Sequence, residues 1–287
     1  MSTGYDPSDQ YDISVWDVEF RHDPARTLMA RIYQPRGEGP FPALLDLHGG
    51  AWNNQDRTAN AAMDKRLAAS GILVVAVDLR LAPEAPYPAS VADANYGIRW
   101  LKAKAREWKG DPATVGALGS SSGGHVIELC AMRPDDPRYN SHRLTEALQT
   151  DATLAYVATR SPVSDPFARF QQAEKMKRPE MIQNTKTYFN PWETIFDGNP
   201  QHILDRGETV SLPPLLIMQG ELDDNVLPSV QERFANAYRA AGGECELEIF
   251  ARCEHMWVKE PGPQTDRAIE TVKNFIARQL RARRLAA

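Results

Sequence analysis

The nine residues "ALGSSSGGH" at 117–125 set three serines between glycines, after an apolar run and before a helix-forming one. A strand that turns sharply into a helix can carry an exposed side chain at its tip. The residues two before and two after must then be small enough to pass each other. Only Ser121 meets that condition, with Gly119 and Gly123 around it; Ser120 would need glycine at Leu118, and Ser122 would need it at Ser120. Ser121 is therefore the expected nucleophile, a glycine-rich turn without chemistry being the alternative, and the strand–turn–helix around it is the unit of a parallel sheet.

Working outward, "ISVWDVEF" (13–20) and "TLMARIYQP" (27–35) flank the turn-like "RHDPAR" (21–26) and read as an antiparallel pair. "FPALLDLHGG" (41–50) is a short strand stopped by two glycines, and "TANAAMDKRLAAS" (58–70) a helix closing at Gly71. "ILVVAVDLR" (72–80) is an unbroken β-branched run, the pattern of a strand covered on both faces. A helix is expected over 89–108, with Val91, Tyr96, Trp100 and Leu101 in the core, then a strand at 114–119 and a helix at 122–133. Strands follow at 152–160, 214–220 and 244–250, with helices near 228–241 and 264–283. The alternation predicts an α/β protein: a doubly wound, mostly parallel sheet with antiparallel N-terminal strands. The reading is of one domain over 1–287. Residues 164–210, rich in aromatics (Phe167, Phe170, Tyr188, Phe189, Trp192, Phe196), form a small helical cap or lid insertion.

Composition narrows the partners. The formal charge is −5 with 42% apolar and 25% charged residues, and no long basic run occurs, so nucleic acid is not an expected partner. "RQLRARR" (278–284) reads as the solvent face and end of the last helix. The polar "MSTGYDPSDQYD" lacks the layout of a secretory leader, and the longest apolar run, 72–77, is too short for a membrane span. A cytoplasmic location follows as the expectation. Cys130, Cys245 and Cys253 lack metal-ligand spacing and read as reduced thiols, a Cys245–Cys253 disulfide being the alternative. No metal or organic cofactor is expected.

A serine hydroxyl is nearly inert at neutral pH and needs a base, which in turn needs an orienting acid. Of the six histidines only His255, in "CEHMW" after the 244–250 strand, leaves a strand's C-terminal end beyond an acid candidate. His125 lies in the helix behind the serine and reads as packed; His48 reads as structural. The acid comes from "GELDDNV" (220–226): Asp223, which ends the turn sooner after Gly220, with Asp224 the alternative. Charge developing on a substrate oxygen calls for amide donors, and the backbone N–H groups of Gly49, Gly50 and Ser122 are the expected oxyanion hole.

Together "HGGAW" (48–52), "DLRLAPEAPYPA" (78–89) and "GSSSGGH" (119–125) resemble the α/β-hydrolase superfamily, in particular its hormone-sensitive-lipase-like carboxylesterase branch. The likeness runs from about Pro42 through His255 and departs from the branch's pattern at Ala51, Leu79, Ser120 and Ser122. It implies a serine hydrolase cleaving carboxylic esters of short or medium acyl chains, or aryl esters, through an acyl-enzyme. Ala51 also fits the H-G-G-x-W motif of arylformamidases, so an amide hydrolase or acyltransferase on the same triad is the alternative. A non-catalytic ligand-binding homologue is a further one, disfavoured because His255 is present. The resemblance implies that Glu84 is a buried anchor for neighbouring loops, with Arg80 similar. A homodimer is common in that branch, though no pattern in this chain marks an interface. Trp52, Trp192 and Trp257 are the expected walls of an apolar substrate pocket, the alternative being that most of the inserted aromatics pack the insertion onto the sheet.

Overall fold

The computed structural model describes residues 4–23, 26–259 and 261–286. Pro24 and Ala25, at the centre of the expected 21–26 turn, lie outside the described residues.

Eight strands form one sheet in the order β1-β2-β4-β3-β5-β6-β7-β8. β1 (Ile13–Asp23) and β2 (Arg26–Pro35) pair antiparallel, and β2 runs antiparallel to β4 (Leu73–Val77). From β4 the sheet continues parallel through β3 (Phe41–Leu47), β5 (Gly110–Ser120), β6 (Val157–Arg160), β7 (Leu215–Gly220) and β8 (Cys245–Phe250). This is the α/β-hydrolase fold, with the antiparallel start the sequence predicts.

Side chains alternate across each strand, so both sheet faces are apolar. Leu45, Leu47, Leu73, Val75, Val77, Ala117 and Ile217 face one core, against Val91 of α2 (Ala89–Lys104), Val126 of α3 (Ser122–Met132) and Phe234 of α8 (Pro228–Ala240). Leu44, Val74, Ala76, Leu118, Leu216 and Met218 face the other, against Leu67 of α1 (Ala61–Ala69) and Phe275 of α9 (Pro263–Ala286). Five helices thus cover the two faces. The expected core residues of α2 are all buried, and the basic end of α9 is exposed from Arg281 to Leu285.

Two strands differ from their expected lengths. β6 spans Val157–Arg160 rather than 152–160, because only from Val157 does it pair with both neighbours, at Ala117 and at Leu215. β5 begins early, at Gly110, where it still pairs with Phe41 before a register shift.

Residues 164–210 form four helices: α4 (Pro166–Lys175), α5 (Pro179–Tyr188), α6 (Thr194–Asp197) and α7 (Pro200–Asp205). Asp165 caps α4 by accepting from the Ala168 amide at 3.0 Å, which sets where the residues of its first turns point. Tyr188 and Phe189 are fully buried at the end of α5.

Glu84 departs from its expected role: it is exposed, on a turn. The anchoring falls to buried Asp93, whose carboxylate accepts from the Arg80 amide at 2.8 Å and from Nη2 of Arg21 at 2.6 Å. One acid on α2 therefore does the tethering that the sequence assigned to Glu84, while Arg80 is structural as expected.

Candidate active site

The C-terminal ends of five adjacent parallel strands open on one cleft, the usual ligand position in such sheets. β5 delivers Ser121 on a strained backbone, φ 51° and ψ −115°, between the strand and α3. A Cβ at Gly119 would come within 2.6 Å of the Gly123 carbonyl oxygen. One at Gly123 would collide with the carbonyls of Leu47 and His48. The two glycines therefore serve different approaches: the first lets the turn close on itself, the second lets it press against the loop after β3.

Ser121 Oγ lies 2.9 Å from Nε2 of His255, and Nδ1 of His255 lies 2.8 Å from Oδ2 of Asp223. With the Nδ1 proton given to the carboxylate, Nε2 is left to accept from the serine hydroxyl. Asp223 is 2% exposed, and Oδ1 also accepts from the amides of Asn225 (3.0 Å) and Val226 (2.9 Å), Oδ2 from Nε2 of Gln219 (3.0 Å). Burial works against its charge, but the bonds from His255, Val226 and Gln219 prevail and hold its carboxyl below the ordinary range. Asp224 turns the other way: its side chain is 59% exposed and pairs with Arg178. The other two serines are engaged elsewhere, Ser120 Oγ donating to Asn60 at 3.3 Å and Ser122 Oγ accepting from the Trp52 amide at 3.2 Å.

The loop after β3 lies against the serine, a Gly49 Cβ falling 3.3 Å from that of Ser121. His48 donates from Nδ1 to the Gly49 carbonyl at 2.8 Å, and Gly50, Ala51 and Trp52 all have positive φ (98°, 52° and 63°). Ala51 thus carries a side chain where glycine would be unstrained. Among the described residues the amides of Gly49, Gly50 and Ser122 donate to no protein acceptor.

The cleft encloses about 210 Å³. It is polar: Asn54, Gln55, Arg160, Arg169, Glu180, Asn184, Asn225 and Lys259 line it, with Ala51 and Met256 the apolar side chains of the wall. This corrects the expected apolar pocket of three tryptophans. Trp52 is buried beneath the β3 loop, stacked on Tyr188 with ring centroids 4.8 Å apart. Trp257 stacks on Phe250 at 4.3 Å, and Trp192 sits against Phe170 at 4.6 Å in a separate surface depression. Phe170, Tyr188 and Phe189 of the 164–210 segment turn to the core because burial favours them there, Phe196 stays 39% exposed, and Arg169, Glu180 and Asn184 face the cleft.

Arg160 and Arg169 belong to no catalytic motif, so the sequence does not mark them as site residues. The signal was that Arg160 ends a strand at the same edge as Ser121 and Asp223. Among the described residues no helix is long and apolar enough to cross a membrane, and no three His, Cys, Asp or Glu side chains are placed to hold a metal.

Sheet order and the turn at Ser121 are those of the α/β-hydrolase fold. The BD-FAE family model matches residues 31–238, and the chain belongs to that family. It is similar to the probable carboxylic ester hydrolase LipM of Mycobacterium tuberculosis, 28% identical over 201 residues, 68% of this chain and 44% of the relative. Esterase LipC of the same organism is 27% identical over 225 residues, 78% of this chain and 54% of the relative. The chain spans about half the length of these relatives. In fold it is similar to the thermophilic carboxylesterase EstE1 from a metagenomic library, with TM-score 0.77, 24% identity, and 94% of this chain and 91% of that one covered. Esterase 2 of Thermogutta terrifontis, phosphoramylated by tabun, gives TM-score 0.74, 20% identity and coverage of 92% and 94%.

Proposed function

We propose that the chain is a serine carboxylesterase, acting on small esters through Ser121, His255 and Asp223. The observation that carries this reading is the continuous line from Ser121 Oγ through His255 to Asp223, at 2.9 and 2.8 Å, beside three amides without acceptors among the described residues. The esterase names of the relatives support it.

As Oγ attacks the ester carbonyl, its proton passes to Nε2 of His255, and Asp223 steadies the resulting imidazolium. The carbonyl oxygen, now anionic, receives the N–H groups of Gly49, Gly50 and Ser122; losing one such donor costs about 2.7–4 kcal/mol in the barrier. His255 then protonates the departing alcohol, leaving Ser121 acylated. Water, deprotonated by His255, attacks the acyl carbon and frees the acid and the serine. In this reading residues 164–210 act as a cap, since Arg169, Glu180 and Asn184 supply part of the cleft wall. A cleft of about 210 Å³ suits short acyl groups rather than medium ones. The three free, buried cysteines fit the cytoplasmic location that completes the reading.

The test is hydrolysis of p-nitrophenyl acetate, butyrate and octanoate by wild type and Ser121→Ala, each shown folded by circular dichroism. Acetate and butyrate should be cleaved faster than octanoate, and Ser121→Ala should abolish turnover. Equal rates in the two proteins would overturn the reading.

A further inference from the structure

Two buried arginines at the cleft have no carboxylate within ion-pair distance among the described residues. Arg160, the last residue of β6, is 4% exposed; its Nη1 donates to the His255 carbonyl at 3.3 Å. Arg169, in α4, is 5% exposed. Its Nε donates to Oδ1 of Asn225 at 2.8 Å, Nη1 approaches the Thr185 hydroxyl at 3.5 Å, and the guanidinium lies 5.6 Å from the centre of the Trp52 ring. Nη2 donates to nothing among the described residues, yet it is not sealed from solvent, and Arg169 lines the cleft that holds Ser121.

A guanidinium so placed has given up its hydration without receiving a counter-ion, and burial pushes both arginines down to about 10, still charged at neutral pH. The field of buried Asp46 reaches Arg160, and that of Asp223 reaches both arginines, but the Asp46 oxygens accept from Asn60 and those of Asp223 from His255, Gln219, Asn225 and Val226. Exposed Lys259 adds a third cation to the lining, and Glu180, its carboxylate, is solvent-exposed. Arg169 is held by Asn225 at Nε and lies over the Trp52 ring, which restrains its fork before any ligand arrives; a guanidinium fork matches a carboxylate. The wall offers an alkyl chain little beyond Met256 and Ala51.

We propose that the substrate is an ester whose acyl or alcohol part carries a carboxylate, received by the free edge of Arg169, with Arg160 and Lys259 making the cleft positive. The inference rests on the ester-hydrolase reading and names the chemistry that reading leaves open. The carboxylate takes no part in bond making; it places the ester carbonyl over Ser121.

Two matched pairs test it, followed by acid release at constant pH. Monoethyl succinate against ethyl 4-methylpentanoate puts the carboxylate, or its neutral shape analogue, on the acyl side. 3-Acetoxypropanoate against 3-methylbutyl acetate puts it on the alcohol side. In one pair wild type should favour the carboxylate by about tenfold or more in kcat/KM, the scale of a charge-assisted hydrogen bond. Arg169→Gln should erase that ratio and Arg169→Lys keep part of it. The wild-type ratios decide the question whether or not the variants fold. Ser121-dependent cleavage of the neutral esters at rates equal to or above both carboxylates overturns the anion site and leaves the esterase reading standing. No cleavage of these four esters or of p-nitrophenyl acetate removes both.

Discussion

Nε1 of Trp52 donates to Nδ1 of His125 at 3.1 Å, and the imidazole proton therefore sits on Nε2, where it donates to the Gly198 carbonyl at 2.7 Å. The ring is fully buried, and through it the β3 loop, α3 and the segment after α6 are held to one another. Such a histidine is useful only while neutral, since protonating Nδ1 would set two donors face to face.

That gives a stability profile with a definite sign. Burial, partly offset by the bond to Gly198, pushes His125 down from 6.5 to about 4. Between those values the unfolded chain binds a proton that the folded chain refuses. The contribution is complete above pH 6.5, declines as pH falls towards 4, and levels off below. Urea unfolding of wild type and His125→Gln at pH 7 and pH 4.5 should show the larger loss in wild type, by up to about 3 kcal/mol. Equal losses would contradict a buried neutral ring.

The elbow glycines should be far less replaceable than a glycine in open space. Gly123→Ala drives a Cβ into backbone carbonyls that cannot rotate away, and a cost of about 1–3 kcal/mol or more is expected. Gly207→Ala, with φ 64° and no heavy atom within 4 Å of its Cβ, should cost only the left-handed strain of about 1 kcal/mol. Thermal unfolding of the two variants gives the comparison, and similar melting temperatures would mean the turn is looser than described.

The neighbouring acids should separate by orders of magnitude. Asp223→Asn leaves the shape but removes the partner of His255 Nδ1, and kcat for p-nitrophenyl acetate should fall by about 10⁴. Asp224→Asn breaks an exposed pair with Arg178 and should stay within about threefold of wild type. Steady-state kinetics of both variants would show whether the roles are instead exchanged.

Much of this was legible in the sequence because backbone rules leave few choices. A Gly-x-Ser-x-Gly turn after an apolar run has one sterically allowed centre, so Ser121 could be singled out from three serines. Continuous β-branched runs marked the buried parallel strands, while β6 was overextended because the apolar pattern at 152–156 cannot tell a strand from the packed segment leading into it. His255 and Asp223 are legible as candidates from their places after strand ends, and the structure brings their side chains within hydrogen-bond reach of each other. The cleft walls were not legible in the same way. Trp52, Trp192 and Trp257 were expected to face the substrate because they neighbour site motifs or lie in the insertion, but adjacency in sequence does not fix side-chain direction. Trp52 turns inward onto Tyr188, and Arg169 comes to the cleft on α4. The same holds for Glu84, whose motif is present while the residue is exposed on a turn.

The most direct test of the central claim is covalent. Diethyl p-nitrophenyl phosphate should react with the folded chain to release one p-nitrophenol and leave one diethylphosphoryl group, which peptide mass mapping should place on Ser121. Esterase activity should disappear in step with labelling, and Ser121→Ala should take up no label. Label on another residue as activity disappears, or undiminished ester hydrolysis with Ser121 fully phosphorylated, would contradict the nucleophile on which the whole account stands.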